Sequence, residues 1–169
     1  MSPMPVTPAR VLELAQAGAN EAALSVARLL KISVAQVGLV ETMAADVLAL
    51  RHGPRALVVG FTVSGALQGR FAMVTSEMHA KAMALQLVSF TGDSLSTKAI
   101  GALTELGNIG ASAYLSSIAD LLCASCMPSV PSWTIDEASS AVAASLGRSL
   151  IVAPLMAGPH RIDLALSLP

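Results

Sequence analysis

Two stretches of the chain, Thr7–Leu30 and Ser96–Leu122, carry apolar residues at helical spacing and in the same order. At 100° per residue, Val11, Leu14, Gly18, Ala22, Val26 and Leu29 gather on one side of the first stretch, opposite Glu13, Gln16 and Asn20. In the second, Leu103, Leu106, Gly110, Tyr114, Ile118 and Leu121 oppose Glu105, Asn108, Ser112 and Ser116. Each stretch predicts a long helix with a core stripe and a wet stripe. The segments after the two helices also correspond. Ile32–Glu41, rich in β-branched residues, precedes a short helical piece, Thr42–Leu50; Met127–Ile135 precedes Asp136–Leu146. Two hairpins come next: Ala56–Ser64 with Gly69–Thr75 through Gly65–Gln68, and Ser149–Met156 with His160–Leu168 through Ala157–Pro159. In the last strand Ile162, Leu164, Leu166 and Leu168 alternate with Arg161, Asp163, Ala165 and Ser167, which predicts antiparallel strands covered on one face and wet on the other. Ser76–Phe90 adds an amphipathic helix offering Met78, Met83, Leu85 and Leu87 to the core, and Thr91–Asp93 joins the halves.

The order helix, strand, helix, strand, strand thus occurs twice at a spacing of about 92 residues. The expected fold is α+β: one domain over residues 1–169, with pseudo-symmetric halves at 7–90 and 96–168. About six antiparallel strands would form its sheet, with two long helices and further helices packed on it. A pseudo-two-fold relation would bring the two long helices to equivalent positions.

Composition narrows the classes. Apolar residues make up 54% and charged residues 12% of the chain, and mean hydropathy is +0.67, which raises the question of a membrane. The excess is largely alanine, and the longest charge-free stretches, such as Leu106–Ala119 and Leu121–Ile135, fall short of the roughly 18 apolar residues a span needs. High hydropathy and a net charge of −1 exclude disorder. Without a Lys/Arg cluster or an aromatic platform, nucleic-acid binding is not expected. Met1–Arg10 holds three prolines and no apolar run of the signal-peptide kind, so the expected compartment is the cytoplasm, which two cysteines in 169 residues also suit.

The sharpest candidate for chemistry is Glu105-Leu106-Gly107-Asn108. Residues i and i+3 of a helix lie side by side, so a carboxylate and a carboxamide point together into solvent. Their neighbours on that face, Gly101, Ser112 and Ala119, are small and would let another protein approach the helix. By itself this spacing also fits an ordinary solvated face. Cys123-Ala-Ser-Cys126 follows a helix rather than preceding one, so it lacks the dipole that activates redox thiols; two buried thiols are expected. His52, His79 and His160 show no metal-ligand spacing. The eight methionines read as core fillers, Trp133 as a core or edge anchor, and Pro131 as a break between elements.

From Glu105 through Ala119, and again at Pro128-Ser-Val-Pro131, the chain resembles the CheC/CheX/FliY family of chemotaxis phosphatases. That family's motif is Glu, two residues, Asn, twenty-two residues, Pro, and Glu105, Asn108 and Pro131 have this spacing. The likeness is greatest to the second half of CheC, and the duplicated organisation extends it over nearly the whole chain. The resemblance implies a phosphatase acting on a phosphorylated CheY-type response regulator. Glu105 would grip the regulator through its active-site lysine, and Asn108 would enter the regulator's site and orient the attacking water. No cofactor would come from this chain; Mg²⁺ is expected in the partner. A CheD-like adaptor is a further partner the resemblance implies, and a binding module without catalysis is the alternative reading. A flagellar-switch component of the FliY kind is less expected, since FliY carries a further C-terminal domain. In the first half Glu13 is present but Gln16 stands where the family has Asn, so Glu13 and Gln16 would form a degenerate second site. Gly101 replaces the Asp or Ser that often precedes the motif Glu by four residues.

Overall fold

The two long helices begin and end by the same devices. A computed structural model describes residues 6–89, 91–92 and 94–169. Helix α1 (Pro8–Leu30) starts where Thr7 accepts the Arg10 N–H at 3.3 Å, with Pro8 preset for the first turn. Its counterpart comes after six further elements: β1 (Val34–Gln36), β2 (Glu41–Ala44), α2 (Ala45–Leu50), β3 (Arg55–Gly65), β4 (Gly69–Ser76) and α3 (Glu77–Leu87). The counterpart, α4 (Thr97–Leu122), starts where Ser96 accepts the Ala99 N–H at 3.1 Å. Lys31 and Cys123 close the two helices in the left-handed conformation, at φ 56° and 49°. The chain finishes with β5 (Cys126–Pro128), β6 (Ser132–Glu137), α5 (Ala138–Ser145), β7 (Ser149–Ala157) and β8 (His160–Ser167). Phe90 and Asp93 lie outside the described residues, as do Met1–Pro5. With them lie the expected end of the third helix, part of the joint and most of the proline-bearing N-terminus.

Among the described residues the sheet is antiparallel and has eight strands rather than about six. Its order is β1-β7-β8-β4-β3-β5, with β2 also on β7 and β6 also on β3. One extra strand comes from a break in the expected strand Met127–Ile135, which becomes β5 and β6; the other, β2, takes Thr42–Ala44 from the stretch expected to be helical, because those residues pair with β7. In the first half the break between β1 and β2 faces Pro154, which has no N–H for the ladder; only its carbonyl is used, by Val37 N–H at 3.1 Å. In the second the break contains Pro131, and the equivalent bond runs from Ser129 N–H to the Thr62 carbonyl at 2.8 Å. The halves also interleave: β1 and β2 pair with β7 of the second half, and β5 and β6 with β3 of the first.

Helices α1, α3 and α4 cover one face of the sheet, over Leu57, Val59, Phe61, Phe71, Met73, Leu164 and Leu166. Where α1 meets α4, a Cβ on Gly18 would come within 2.9 Å of the Tyr114 ring, so glycine permits the close approach. Tyr114 in turn rests on Phe71, with ring centroids 4.7 Å apart. Three apolar expectations need correction. Leu121 is 47% exposed, because the stripe on α4 drifts and Leu122 packs inward instead. Met78 and Leu85 are exposed, because α3 buries the i, i+3, i+4 set Ala80, Met83 and Ala84, which leaves both on its far side. Among the described methionines, Met73 and Met83 fill the core, whereas Met78 and Met127 face solvent.

The expected wet face of the sheet is also buried. Helices α2 and α5 cover it over Ala56, Val58, Ala72, Val74, Leu150, Val152 and Ala165. Asp163 and Ser167, read as solvent-facing, are therefore buried. A buried carboxylate needs partners, and Asp163 has two. Its Oδ2 accepts His52 Nε2–H at 2.7 Å and Arg161 Nε–H at 3.1 Å, and its Oδ1 accepts a second Arg161 N–H at 3.3 Å. The His52 and Asp163 side chains are 1% and 0% exposed. Burial pushes the Asp163 carboxyl up, but the hydrogen bonds and charges of His52 and Arg161 outweigh it and hold the group below its ordinary value. In the described residues no helix is long and apolar enough to cross a membrane.

A carboxyl whose acidity is strengthened by folding stabilises the native state above its unfolded value, about 3.9, and that stability is lost as pH falls through the lower folded value. Asp163→Asn is expected to cost roughly 3 kcal/mol at pH 7, by leaving buried charge underpaired. Urea denaturation from pH 7 down to 2 should show the gap between the two proteins narrowing below about pH 4. A gap constant with pH would mean that the carboxylate charge plays no part.

Candidate functional site

The helical period places Leu106 and Gly107 of the Glu105–Asn108 stretch against the sheet and its two polar residues outward. Leu106 and Gly107 are buried, Glu105 is exposed and Asn108 half-buried. Gly107 sets the height of the helix: a Cβ there would lie 2.8 Å from Val59 Cγ1 on β3. Among the described residues, neither the Glu105 carboxylate nor the Asn108 carboxamide has a hydrogen-bond or ion-pair partner. Both are thus held by a backbone fixed in the core while their tips stay free.

Beside α4 the sheet ends at the edge formed by β5 and β6. There Trp133 pairs with Val59, and directly opposed residues of an antiparallel pair share a face, so Trp133 stands on the α4 side of the sheet. It is 50% exposed, an edge residue rather than a core one. Pro131, half-buried, lies in the break between β5 and β6 beside exposed Val130.

The corresponding face of α1 is different. Glu13 is paired with Arg10 at 2.9 Å. Gln16 faces β1, where its amide and that of Gln36 bond reciprocally; the return bond, Gln36 Nε2–H to Gln16 Oε1, is 3.1 Å. Gln16 Nε2 also donates to Asn20 Oδ1 at 3.2 Å. Glu13 and Gln16 therefore share one face with a turn between them, as Glu105 and Asn108 do, but their tips are occupied. Sequence reasoning misses Gln36, although it stands after Gln16 at the interval that separates Pro128 from Asn108.

The cysteines and histidines fall elsewhere. Cys126 is buried, but Cys123 is exposed, because the left-handed closing residue of α4 turns its side chain out of the core. The three histidines come to one end of the molecule. His52 serves Asp163, and His79 Nδ1 accepts the Arg161 N–H at 3.2 Å with its ring 5.4 Å from that of His160. Among the described residues no group of three or more His, Cys, Asp or Glu converges as a metal site.

No family model and no curated protein matches the sequence. Solved structures match its fold. FliY from Thermotoga maritima aligns over 97% of this chain and 92% of its own, at 14% identity and a TM-score of 0.71. This is the CheC/CheX/FliY fold. A CheC-like superfamily protein from Shewanella sp. PV-4 shares it over 92% of this chain and 96% of its own, at 8% identity and TM-score 0.65. So does the complex of CheX with CheY, BeF3 and Mg²⁺ from Borrelia burgdorferi, over 89% and 95%, at 16% identity and TM-score 0.61. At such identities the likeness is one of fold. It matches the α+β architecture read from the sequence.

The geometry separates support from tip. Gly107→Ala is expected to destabilise the CheC/CheX/FliY fold here by about 1–3 kcal/mol through overpacking on Val59, less a gain of up to about 1 kcal/mol in helix propensity. Asn108→Ala should stay within about 0.5 kcal/mol, as a surface change does. Chemical denaturation of both variants measures the contrast, and equal losses would contradict the outward placement of Asn108.

Proposed function

We propose that the chain is a chemotaxis phosphatase that hydrolyses the aspartyl phosphate of a CheY-type response regulator, with Asn108 orienting the water and Glu105 gripping the regulator. The observation that carries this reading is the free Glu105–Asn108 pair on a helix locked to the sheet. Support comes from the fold, which a CheX solved together with CheY, BeF3 and Mg²⁺ also has.

The chemistry asks little of this chain. An acyl phosphate is already reactive, and Mg²⁺ in the regulator's own site would neutralise phosphoryl charge. Water's oxygen bonds to phosphorus as the bond from phosphorus to the aspartyl oxygen breaks. The carboxylate leaves with the electron pair, and the water's protons pass to phosphate and solvent. What is left to supply is direction. A carboxamide offers an acceptor and two donors, so Asn108 can fix a water in line without changing charge. Holding the water in place lowers the barrier through lost freedom rather than proton transfer. A hundredfold acceleration corresponds to about 2.7 kcal/mol, within reach of one placed dipole in a site closed by the regulator. Glu105, one turn away, suits the lysine ammonium of a receiver site, because exposed carboxylates pair there at small desolvation cost.

Phosphate release from a phosphorylated CheY-type regulator with Mg²⁺ tests the reading. The chain should accelerate release by roughly a hundredfold, Asn108→Ala should abolish the gain, and Glu105→Ala should reduce it mainly by weakening the complex. Unchanged release in a complex that still forms would make the chain a binding module for the regulator instead. An unchanged rate with binding only to a CheD-like adaptor would turn the surface over to that partner.

A further inference from the structure

The two long helices present the same pair of groups, and the structure differs in what holds them. On α1 the tips of Glu13, Gln16 and Asn20 are in use. Both N–H donors of the Gln16 carboxamide are given, to Gln36 Oε1 and Asn20 Oδ1, and its oxygen accepts from Gln36 Nε2. Glu13 is engaged by Arg10. Gln36 is itself fixed: it pairs with Leu155 in the β1–β7 ladder, and its amide also donates to the Gly38 carbonyl at 2.8 Å.

The equivalent positions of the second half carry none of these partners. Gln36 opposes Leu155 as Pro128 opposes Val63, so Pro128 occupies the latching position in the same register. Proline has no side-chain donor or acceptor. Val130 stands for Gly38, Ser112 for Asn20 and Ala102 for Arg10. The amide of Asn108 is free for that reason, and not only because Asn is shorter than Gln.

We infer that Gln36 is a latch, a positioning residue that keeps the α1 carboxamide out of use and so decides that only the α4 face is presented to the regulator. The inference rests on the phosphatase reading of Asn108. The chemistry on α1 is intact: Gln16 has the same amide as Asn108, and Glu13 stands one turn before it. A group available for only a small fraction of the time contributes in proportion to that fraction, and Gln16 must break the reciprocal pair before it can address a water.

The test removes the α4 site first. In an Asn108→Ala background, Gln36→Met keeps the length of the side chain and deletes its polar atoms. Phosphate release from the phosphorylated regulator should then rise roughly tenfold over Asn108→Ala alone, as the competent fraction of Gln16 increases. Adding Gln16→Ala should return it to the baseline. No gain in the double variant, or a gain that survives Gln16→Ala, overturns the latch. A second readout does not depend on activity. In the unaltered chain the side-chain amide protons of Gln16 should exchange with solvent more slowly than those of Asn108 by NMR, and Gln36→Met should bring the two together. Equal exchange in the unaltered chain overturns the latch even if the chain is a phosphatase. Protected Gln16 protons in a chain that never accelerates release sink the phosphatase reading and, with it, the inferred role of Gln36.

Discussion

Everything at the site depends on how closely α4 lies on β3. Gly107 sits over Val59 with no room for another carbon, and Leu106 fills the core beside it. A helix packed at that distance cannot rotate without opening a cavity or colliding with the strand, since protein interiors are close-packed. Glu105 and Asn108 are therefore fixed in direction by residues that face the other way. The ordering of the backbone beneath the pair is thus complete in the folded chain by itself.

The sheet supplies the second constraint. Each half lends its first strand pair to the hairpin of the other half, so neither half has a finished sheet alone. That exchange places β1 beside α1 and β5 beside α4, in matching registers. A single position, Gln36 in one half and Pro128 in the other, can then distinguish two otherwise equivalent helix faces. The rims diverge as well. Trp133 is an exposed aromatic on the second half's edge strand, whereas Glu41, its counterpart, pairs with Arg51 at 2.8 Å. The fold is near-symmetric and the surfaces it offers are not.

The cluster of buried His52 and Asp163 with part-exposed Arg161 belongs to the other face of the sheet, the one that α2 and α5 cover. Arg161 and Asp163 are adjacent on one face of β8, while His52 comes from the loop after α2, more than a hundred residues earlier. The cluster ties that loop to the last strand of the sheet, far along the chain from the free amide on α4.

Much of this could be read before any coordinates. The repeat of about 92 residues, the two long helices, the hairpins and the outward pair Glu105–Asn108 come from local rules: a 3.6-residue stripe, period-two alternation and the spacing of like residues. Periodicity reports which side of an element is apolar, but not how many neighbours cover the other side. Hence Asp163 and Ala165 read as wet and proved buried once α2 and α5 closed over them. The breaks at Pro154 and Pro131, and the extended conformation of Thr42–Ala44 where a helix was expected, turn on hydrogen bonds between strands distant in sequence, so about six expected strands became eight. Whether an amide is free or held is decided in the same way. Gln16 and Asn108 look alike along the chain, and only the pairing of β1 with β7 brings Gln36 to one of them, because a hydrogen bond depends on distance and angle in space and local sequence carries neither across such a separation.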